Sequence, residues 1–122
     1  MLPRQTNTLI IGASISGLAS AAALKKHNID YLLLEKGGQT CSPWRTHYDR
    51  LHLHTSKAFS HLPYKKFSKE IPRYPSRQQV VDYLDDYQQT FGIEPVLNTG
   101  AISVKRREDH WLTTTNNKYF FM

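Results

Sequence analysis

The chain has 122 residues, enough for one modest domain, and 39% of them are hydrophobic, so a packed core is expected and global disorder is excluded. Its 16 lysines and arginines outnumber 10 acidic residues and give a net charge of +6, but they are scattered and lack the clustering typical of nucleic-acid binding. A single cysteine, Cys41, excludes an intrachain disulfide, and no apolar run is long enough to cross a membrane, so we expect a cytoplasmic protein without nucleic-acid or membrane partners.

The first 35 residues show the order of parts found in a dinucleotide-binding βαβ unit, which we place at residues 7–35. An apolar strand is predicted at residues 7–12, and an alanine-rich helix is predicted from about Ser14 to His27. Asn28 is expected to end this helix in a left-handed conformation. A second apolar strand is then predicted at residues 30–35.

The turn between the first strand and the helix is the candidate phosphate-binding segment. Small residues let the backbone approach a pyrophosphate, and the helix N-terminus directs its N–H groups at that anion. The usual pattern is G-x-G-x-x-G, and Ser14 replaces its middle glycine. The serine side chain either crowds the phosphates or donates its hydroxyl to one of them. An ordinary strand-to-helix turn that contains two glycines is the alternative. The residues of this turn are Gly12, Ala13, Ser14, Ile15, Ser16 and Gly17.

An acidic residue closes the second predicted strand. Glu35 follows Gly12 by 23 residues, close to the spacing of about 20 for an acid that binds the ribose hydroxyls. An acid at this position disfavours the 2′-phosphate of NADP. Beyond the loop at residues 36–40, Trp44 and Arg45 are suited to pack on a cofactor and to pair with its phosphates. A tryptophan that fills a gap in the core is the alternative.

The middle of the chain shows strand-like alternation followed by a helix signal. Residues 50–54 alternate leucine and histidine and predict a strand. Ser76 and Gln79 predict a capping box at the start of a helix that Gly92 ends. Residues 93–97 are interpreted as a third parallel strand, so that 76–97 form a crossover helix and its strand. Residues 101–121 predict an antiparallel β-meander, with turns at residues 105–109 and at Asn116-Asn117 and a last strand at Tyr119-Phe120-Phe121.

Several marks in this order resemble the flavin-containing monooxygenases, most of all their YUCCA-type branch. The resemblance covers roughly residues 7–121, and the order of the marks is more specific than any one of them. They are the Gly12–Gly17 turn with Leu18-Ala19 after it, Glu35-Lys36, Trp44-Arg45, the Y-D-R-L-H-L-H segment from Tyr48 to His54, Tyr74-Pro75 before the helix at Gln78–Leu84, and the strand Trp111-Leu112-Thr113-Thr114.

The resemblance implies a Rossmann-like α/β fold in which FAD lies along the first βαβ unit. It places the pyrophosphate over the turn and the adenosine ribose at Glu35. His54, as the candidate catalytic residue, would lie beside the flavin and the nicotinamide. The family reduces FAD with NADPH, forms a C4a-hydroperoxyflavin and transfers one oxygen atom to a small-molecule substrate. The other implied cofactor contacts are Lys36, Pro43, Trp44, Arg45, Leu53 and Thr55.

The chain also departs from this family. The family's second glycine-rich turn for NADPH has no counterpart in this sequence. We therefore expect residues 1–122 to form a single partial FAD-binding domain with a parallel sheet and a β-meander. This truncated fold would lack the NADPH domain, and the chain alone would not turn over NADPH.

Two other functional classes remain open. One is an NAD-binding Rossmann module, with which Glu35 is equally compatible. The other is a non-catalytic fragment that associates through an open sheet edge. The histidines at 47, 52, 54 and 61 together with Cys41 match no zinc-binding pattern, so no metal site is expected. The substrate and the oligomeric state are not assigned by the sequence.

Overall fold

The computed structural model describes residues 4–48, 50–117 and 120–121. Within them, the strands form one parallel and one antiparallel sheet. No helix of the described part has the length and apolar character needed to cross a membrane. The elements in chain order are β1 (Thr8–Ile11), α1 (Ile15–Lys26), β2 (Tyr31–Leu34), α2 (Ser42–Thr46), α3 (Lys57–Ser60), α4 (Arg77–Thr90), β3 (Ala101–Arg106), β4 (Trp111–Thr115) and β5 (Phe120–Phe121).

The predicted βαβ unit is confirmed. β1 pairs in parallel with β2, from Thr8 opposite Tyr31 to Ile11 opposite Leu34. The predicted end of α1 is also correct, because Asn28 follows the helix in the left-handed region with φ of 57°. The helix presents alanines to the sheet, which lets it pack closely. The main buried cluster therefore joins α1, β2 and α4, and includes Leu18, Ala21, Ala22, Leu33, Val80, Leu84 and Tyr87.

The third parallel strand predicted at residues 93–97 is wrong. Only Val96 forms a parallel bridge, with Leu34. Val96 N donates to Leu33 O at 2.8 Å, and Val96 O accepts from Glu35 N at 2.9 Å. The ladder stops at this one residue, so no strand forms here.

The strand predicted at residues 50–54 is also wrong. In its place the structure has one antiparallel bridge, between His52 and Ser76. Leu53 N donates to Pro75 O at 2.9 Å, but a proline returns no hydrogen bond, which limits the pairing. The predicted alternation is nevertheless correct, since the two leucines are half-buried and the two histidines are exposed.

The predicted capping box of α4 is confirmed. Ser76 Oγ accepts from Gln79 N at 3.2 Å, and Gln79 Oε1 accepts from Ser76 N at 2.9 Å. The buried face of the helix includes Tyr87, which is fully buried and donates its hydroxyl to Pro63 O at 2.9 Å. α4 therefore anchors the long loop that precedes it.

Replacing Ser76 with alanine is expected to lower the free energy of unfolding by about 1 kcal/mol, because one N–H group of the first turn loses its acceptor. Urea denaturation followed by circular dichroism measures this. Ser20→Ala, on the exposed face of α1, is the control and should leave the midpoint unchanged or raise it slightly, because alanine has the higher helix propensity. Equal midpoints for both variants would contradict a stabilising role for the capping box.

The two short helices α2 and α3 were not predicted. α2 begins after Cys41, which lies in the left-handed region with φ of 55°, and Pro43 stands in its first turn. Proline suits the start of a helix because no hydrogen bond is required of its nitrogen there. A five-residue helix leaves no periodic pattern in the sequence, which explains the omission.

The C-terminal segment forms the predicted meander, in the order β3-β4-β5 with antiparallel pairing. Arg106 pairs with Trp111, and the register shifts at a bulge between Ala101 and Ser103. Asn116 lies in the predicted turn after β4. Tyr119, which the predicted last strand includes, lies outside the described residues.

Candidate functional site

The glycine-rich turn joins β1 to the N-terminus of α1. Gly12 has φ of +101°, which favours glycine, and its N–H donates to Leu34 O at 2.8 Å. Ser14 is the N-cap of α1, but its side chain makes no capping hydrogen bond. No capping side chain therefore occupies the N-terminus of α1, and an anion can take that place. A surface cleft of about 490 Å³ opens along the turn.

Gly17 allows the closest approach between α1 and the turn. A Cβ atom on Gly17 would lie 1.9 Å from Gly12 O and 3.4 Å from Leu33 Cδ1. The first distance is far inside van der Waals contact, and the atom concerned is backbone. Any side chain at this position would push the helix away from the turn.

Glu35 connects the glycine-rich turn to the loop after β2. Its Oε1 accepts from Ala13 N at 3.0 Å, and its Oε2 accepts from Gly37 N at 2.7 Å. A carboxylate offers about four lone-pair positions. Glu35 can therefore hold both backbone segments and still accept hydrogen bonds from a pair of ribose hydroxyls.

Ser14 contacts Cys41. Only contacts between Ser14 and the cofactor phosphates were considered from the sequence. Cys41 N donates to Ala13 O at 2.9 Å, which places the cysteine beside the turn, and its side chain is only 1% exposed. Burial raises the pKa of the Cys41 thiol, and a hydrogen bond with the Ser14 side chain acts in the opposite direction. The serine that replaces the usual glycine thus has a partner inside the protein.

Arg45 is engaged by α4. Its Nε donates to Thr40 O at 2.7 Å, and its terminal nitrogens form an ion pair with Asp85, in which Nη1 lies 3.4 Å from Oδ2. The hydrogen bond to Asp85 raises the pKa of the Arg45 guanidinium. The arginine suggested for cofactor phosphates is therefore paired with a carboxylate in this structure.

Trp44 is half-buried against the main cluster. Its ring makes an edge-to-face contact with His47, with centroids 5.5 Å apart. The carbonyl oxygens of Trp44 and Arg45 accept from Arg77 Nη1 at 3.4 and 3.0 Å. Pro43, beside Trp44 in α2, is exposed.

Leu53, His54 and Thr55 lie on the segment that leads into α3. Leu53 packs against the main cluster, whereas His54 and Thr55 are exposed. Lys36, which directly follows Glu35, is also exposed. The structure thus brings the turn, Glu35 and Cys41 together, joins Trp44 and Arg45 to α4, and leaves the imidazole of His54 accessible.

The Lys57 side chain forms hydrogen bonds with the loop that follows α3. This residue was not identified from the sequence. Its ammonium donates to the carbonyl oxygens of Ser68 and Lys69 at 3.2 Å and of Ile71 at 2.5 Å. Its backbone N donates to Arg73 O at 2.7 Å. No local pattern signals such a contact, because the partners lie 11 to 14 residues away. Among the described residues, no group of three or more His, Cys, Asp or Glu is arranged to hold a metal ion.

Comparison with known proteins gives one family and a set of relatives. The sequence model of the pyridine nucleotide-disulphide oxidoreductase family matches residues 9–121. Indole-3-pyruvate monooxygenase YUCCA6 of Arabidopsis thaliana is 46% identical over 94 residues, which cover 76% of this chain and 22% of that protein. An uncharacterized CzcO-like oxidoreductase of Geobacillus kaustophilus is 38% identical over 111 residues, which cover 91% of this chain and 32% of that protein. The chain thus spans 22% and 32% of the lengths of these two relatives.

A solved structure gives the same architecture. The flavin-containing monooxygenase of Stenotrophomonas maltophilia superposes with a TM-score of 0.87 over 96% of this chain and 36% of that one, at 20% sequence identity. Identity this low shows a shared fold. The α/β class predicted from the sequence is confirmed by this likeness and by the two sheets described above.

Proposed function

Because this chain belongs to the pyridine nucleotide-disulphide oxidoreductase family, we propose that it is the FAD-binding part of an NADPH-dependent flavin monooxygenase. The resemblance to YUCCA-type monooxygenases noted in the sequence is confirmed by the relatives. The observation that most supports FAD binding is the carboxylate of Glu35, held at the turn with lone pairs to spare.

Three features of the described residues support FAD binding. The first turn of α1 has no side-chain cap and presents N–H groups suited to a pyrophosphate. Gly17 allows the helix to lie against the turn, so that these groups can reach the anion. The Glu35 carboxylate would accept from the hydroxyls of the adenosine ribose, which carries no 2′-phosphate in FAD. The same carboxylate would repel the 2′-phosphate of NADPH, so a reductant of that kind needs another site.

Most of the remaining proposed contacts would lie at the flavin end of the site. In a complete monooxygenase of this kind, bound FAD would accept electrons from NADPH and support transfer of one oxygen atom to a small-molecule substrate. We propose that Pro43, Trp44, Leu53 and Thr55 border this end, with the exposed imidazole of His54 as the group that donates a hydrogen bond or carries a proton there. Lys36, next to Glu35, would face the adenosine end.

We also propose that residues 1–122 make up one partial FAD-binding domain, which the single family match over residues 9–121 supports. The one cysteine supports a reducing, cytoplasmic location. The described residues contain one parallel βαβ unit, and our proposal is that this chain binds FAD without oxidising NADPH.

Titration of the purified chain with FAD tests these proposals. We expect a yellow one-to-one complex with a shifted flavin absorption spectrum, and NADPH oxidation no faster than with free FAD. Binding of NAD without FAD would favour the NAD-binding module instead. Self-association without any cofactor would favour the interaction fragment. NADPH oxidation above the free-FAD rate would contradict the proposed inactivity of the chain.

A further inference from the structure

Two arginines connect α2 and α4 in opposite directions beside Trp44. Arg45 on α2 forms its ion pair with Asp85 on α4. Arg77 on α4 donates back to the carbonyl oxygens of Trp44 and Arg45 on α2, at 3.4 and 3.0 Å. The backbone and the side chain of the same short helix are therefore both attached to α4.

From this arrangement we infer that Arg45 is a positioning residue that holds Trp44 in place through Asp85, and is not a ligand of a cofactor phosphate. The inference rests on the proposed function, because it takes Trp44 to border the flavin. A phosphate would have to compete with a two-point contact to a carboxylate, which is the geometry that guanidinium groups favour. The Nε donor is also used, by Thr40 O.

α2 needs such an attachment because it is very short. A five-residue helix is far below the length that is stable by itself in water. Cys41 at its N-cap makes no side-chain capping bond. A further contact holds the residue before it, since Thr40 Oγ1 donates to Gln88 Oε1 of α4 at 2.9 Å. The position of Trp44 therefore depends on contacts with α4 more than on the helix that carries it.

The variant Asp85→Asn separates a positioning role from a phosphate-binding role. If Arg45 bound a phosphate, removal of its acidic partner would free the guanidinium and remove a negative charge, and FAD would bind more tightly. If Arg45 positions Trp44, FAD should bind about three- to tenfold more weakly, because α2 loses a bidentate charged contact. The side chains of Arg45 and Asp85 are 23% and 46% exposed, which keeps the expected effect modest.

Asp86→Asn is the matched control. Asp86 lies on the same helix and pairs with Lys65 at 2.9 Å, with 60% of its side chain exposed. The substitution makes the same change of charge without touching α2, so FAD affinity should stay within about twofold of the parent. An equal loss in both variants would show a general charge effect and overturn the inference.

The fluorescence of Trp44 gives a measurement that does not need FAD. In a Trp111→Phe background, Trp44 is the only tryptophan of the chain. Asp85→Asn should then shift its emission to longer wavelength and increase its quenching by acrylamide, whereas Asp86→Asn should not. Unchanged emission in Asp85→Asn would overturn the inference. If the parent chain fails to bind FAD, the proposed function fails, and this measurement alone decides the role of Arg45.

Arg45→Lys serves as the second variant if Asp85→Asn does not fold. A lysine keeps the positive charge and can still bind a phosphate, but it cannot form the two-point contact with Asp85. Loss of FAD affinity together with a shifted Trp44 emission would support the positioning role. Full affinity with unchanged emission would overturn it.

Discussion

Replacing Gly17 with alanine is expected to lower the free energy of unfolding by about 3 kcal/mol or more and to abolish FAD binding. The added Cβ would stand 1.9 Å from Gly12 O. Because the clashing atom is backbone in the turn itself, no rotamer change can relieve the overlap. α1 has to move away from the turn, which removes buried contacts and displaces the N–H groups that face the proposed phosphate site.

Urea denaturation and FAD titration measure the two effects of Gly17→Ala. Gly38→Ala is the matched control, since its Cβ would meet nothing closer than Asn98 Oδ1 at 3.6 Å. That substitution should preserve stability, or raise it slightly by restricting the unfolded chain. A Gly17→Ala variant as stable as Gly38→Ala would contradict the close packing of α1 described above.

The variant Glu35→Gln is expected to lose about 2–3 kcal/mol of stability and to bind FAD at least about tenfold more weakly. The carboxylate accepts from Ala13 N and Gly37 N on its two oxygens. A glutamine keeps only one of these acceptors, and its amide NH₂ then faces a backbone donor. One loop is therefore released, and the ribose loses a charged acceptor.

Glu94→Gln makes the same chemical change at an exposed position and is the control for Glu35→Gln. It should leave the urea midpoint and the FAD titration unchanged. If the Glu35 variant matched the parent in FAD affinity but lost stability, the carboxylate would serve the loops alone. That outcome would count against a ribose contact.

The parts of the fold that the sequence predicted well depend on local contacts. Asn28 ends α1 through its own backbone conformation, and Ser76 and Gln79 cap α4 across three residues. Such signals lie within a few positions of the chain, so they survive whatever packs around them.

The two predicted strands that did not form would each have needed a neighbouring strand able to complete the hydrogen bonds of a ladder. Residues 93–97 look apolar enough for a strand, but only Val96 among them pairs with β2. Residues 50–54 alternate correctly, yet their partner contains Pro75, which cannot complete a ladder. Alternation predicts which side chains are buried, whereas pairing requires knowledge of the neighbour.

The candidate site likewise contains some contacts that follow from local sequence and others that depend on residues far away in the chain. The turn and Glu35 lie together because one βαβ unit contains both, and their proposed roles follow from their spacing. The pairing of Arg45 with Asp85 spans 40 residues, and the contact between Ser14 and Cys41 depends on how the loop after β2 folds back. Sequence alone could suggest the residue types, but only the packing of α2 on α4 shows which partner each one has.

The carboxylate of Glu35 also has a consequence for the speed and cost of ligand capture. The carboxylate links Ala13 to Gly37 in the absence of a nucleotide. The conformational entropy of these two segments is therefore lost during folding, and little of it remains to be lost when a ligand binds. A preorganised site of this kind admits its ligand with little rearrangement. In the proposed FAD site, the adenosine end would therefore need little ordering, whereas the flavin end would border a short helix that is attached to α4.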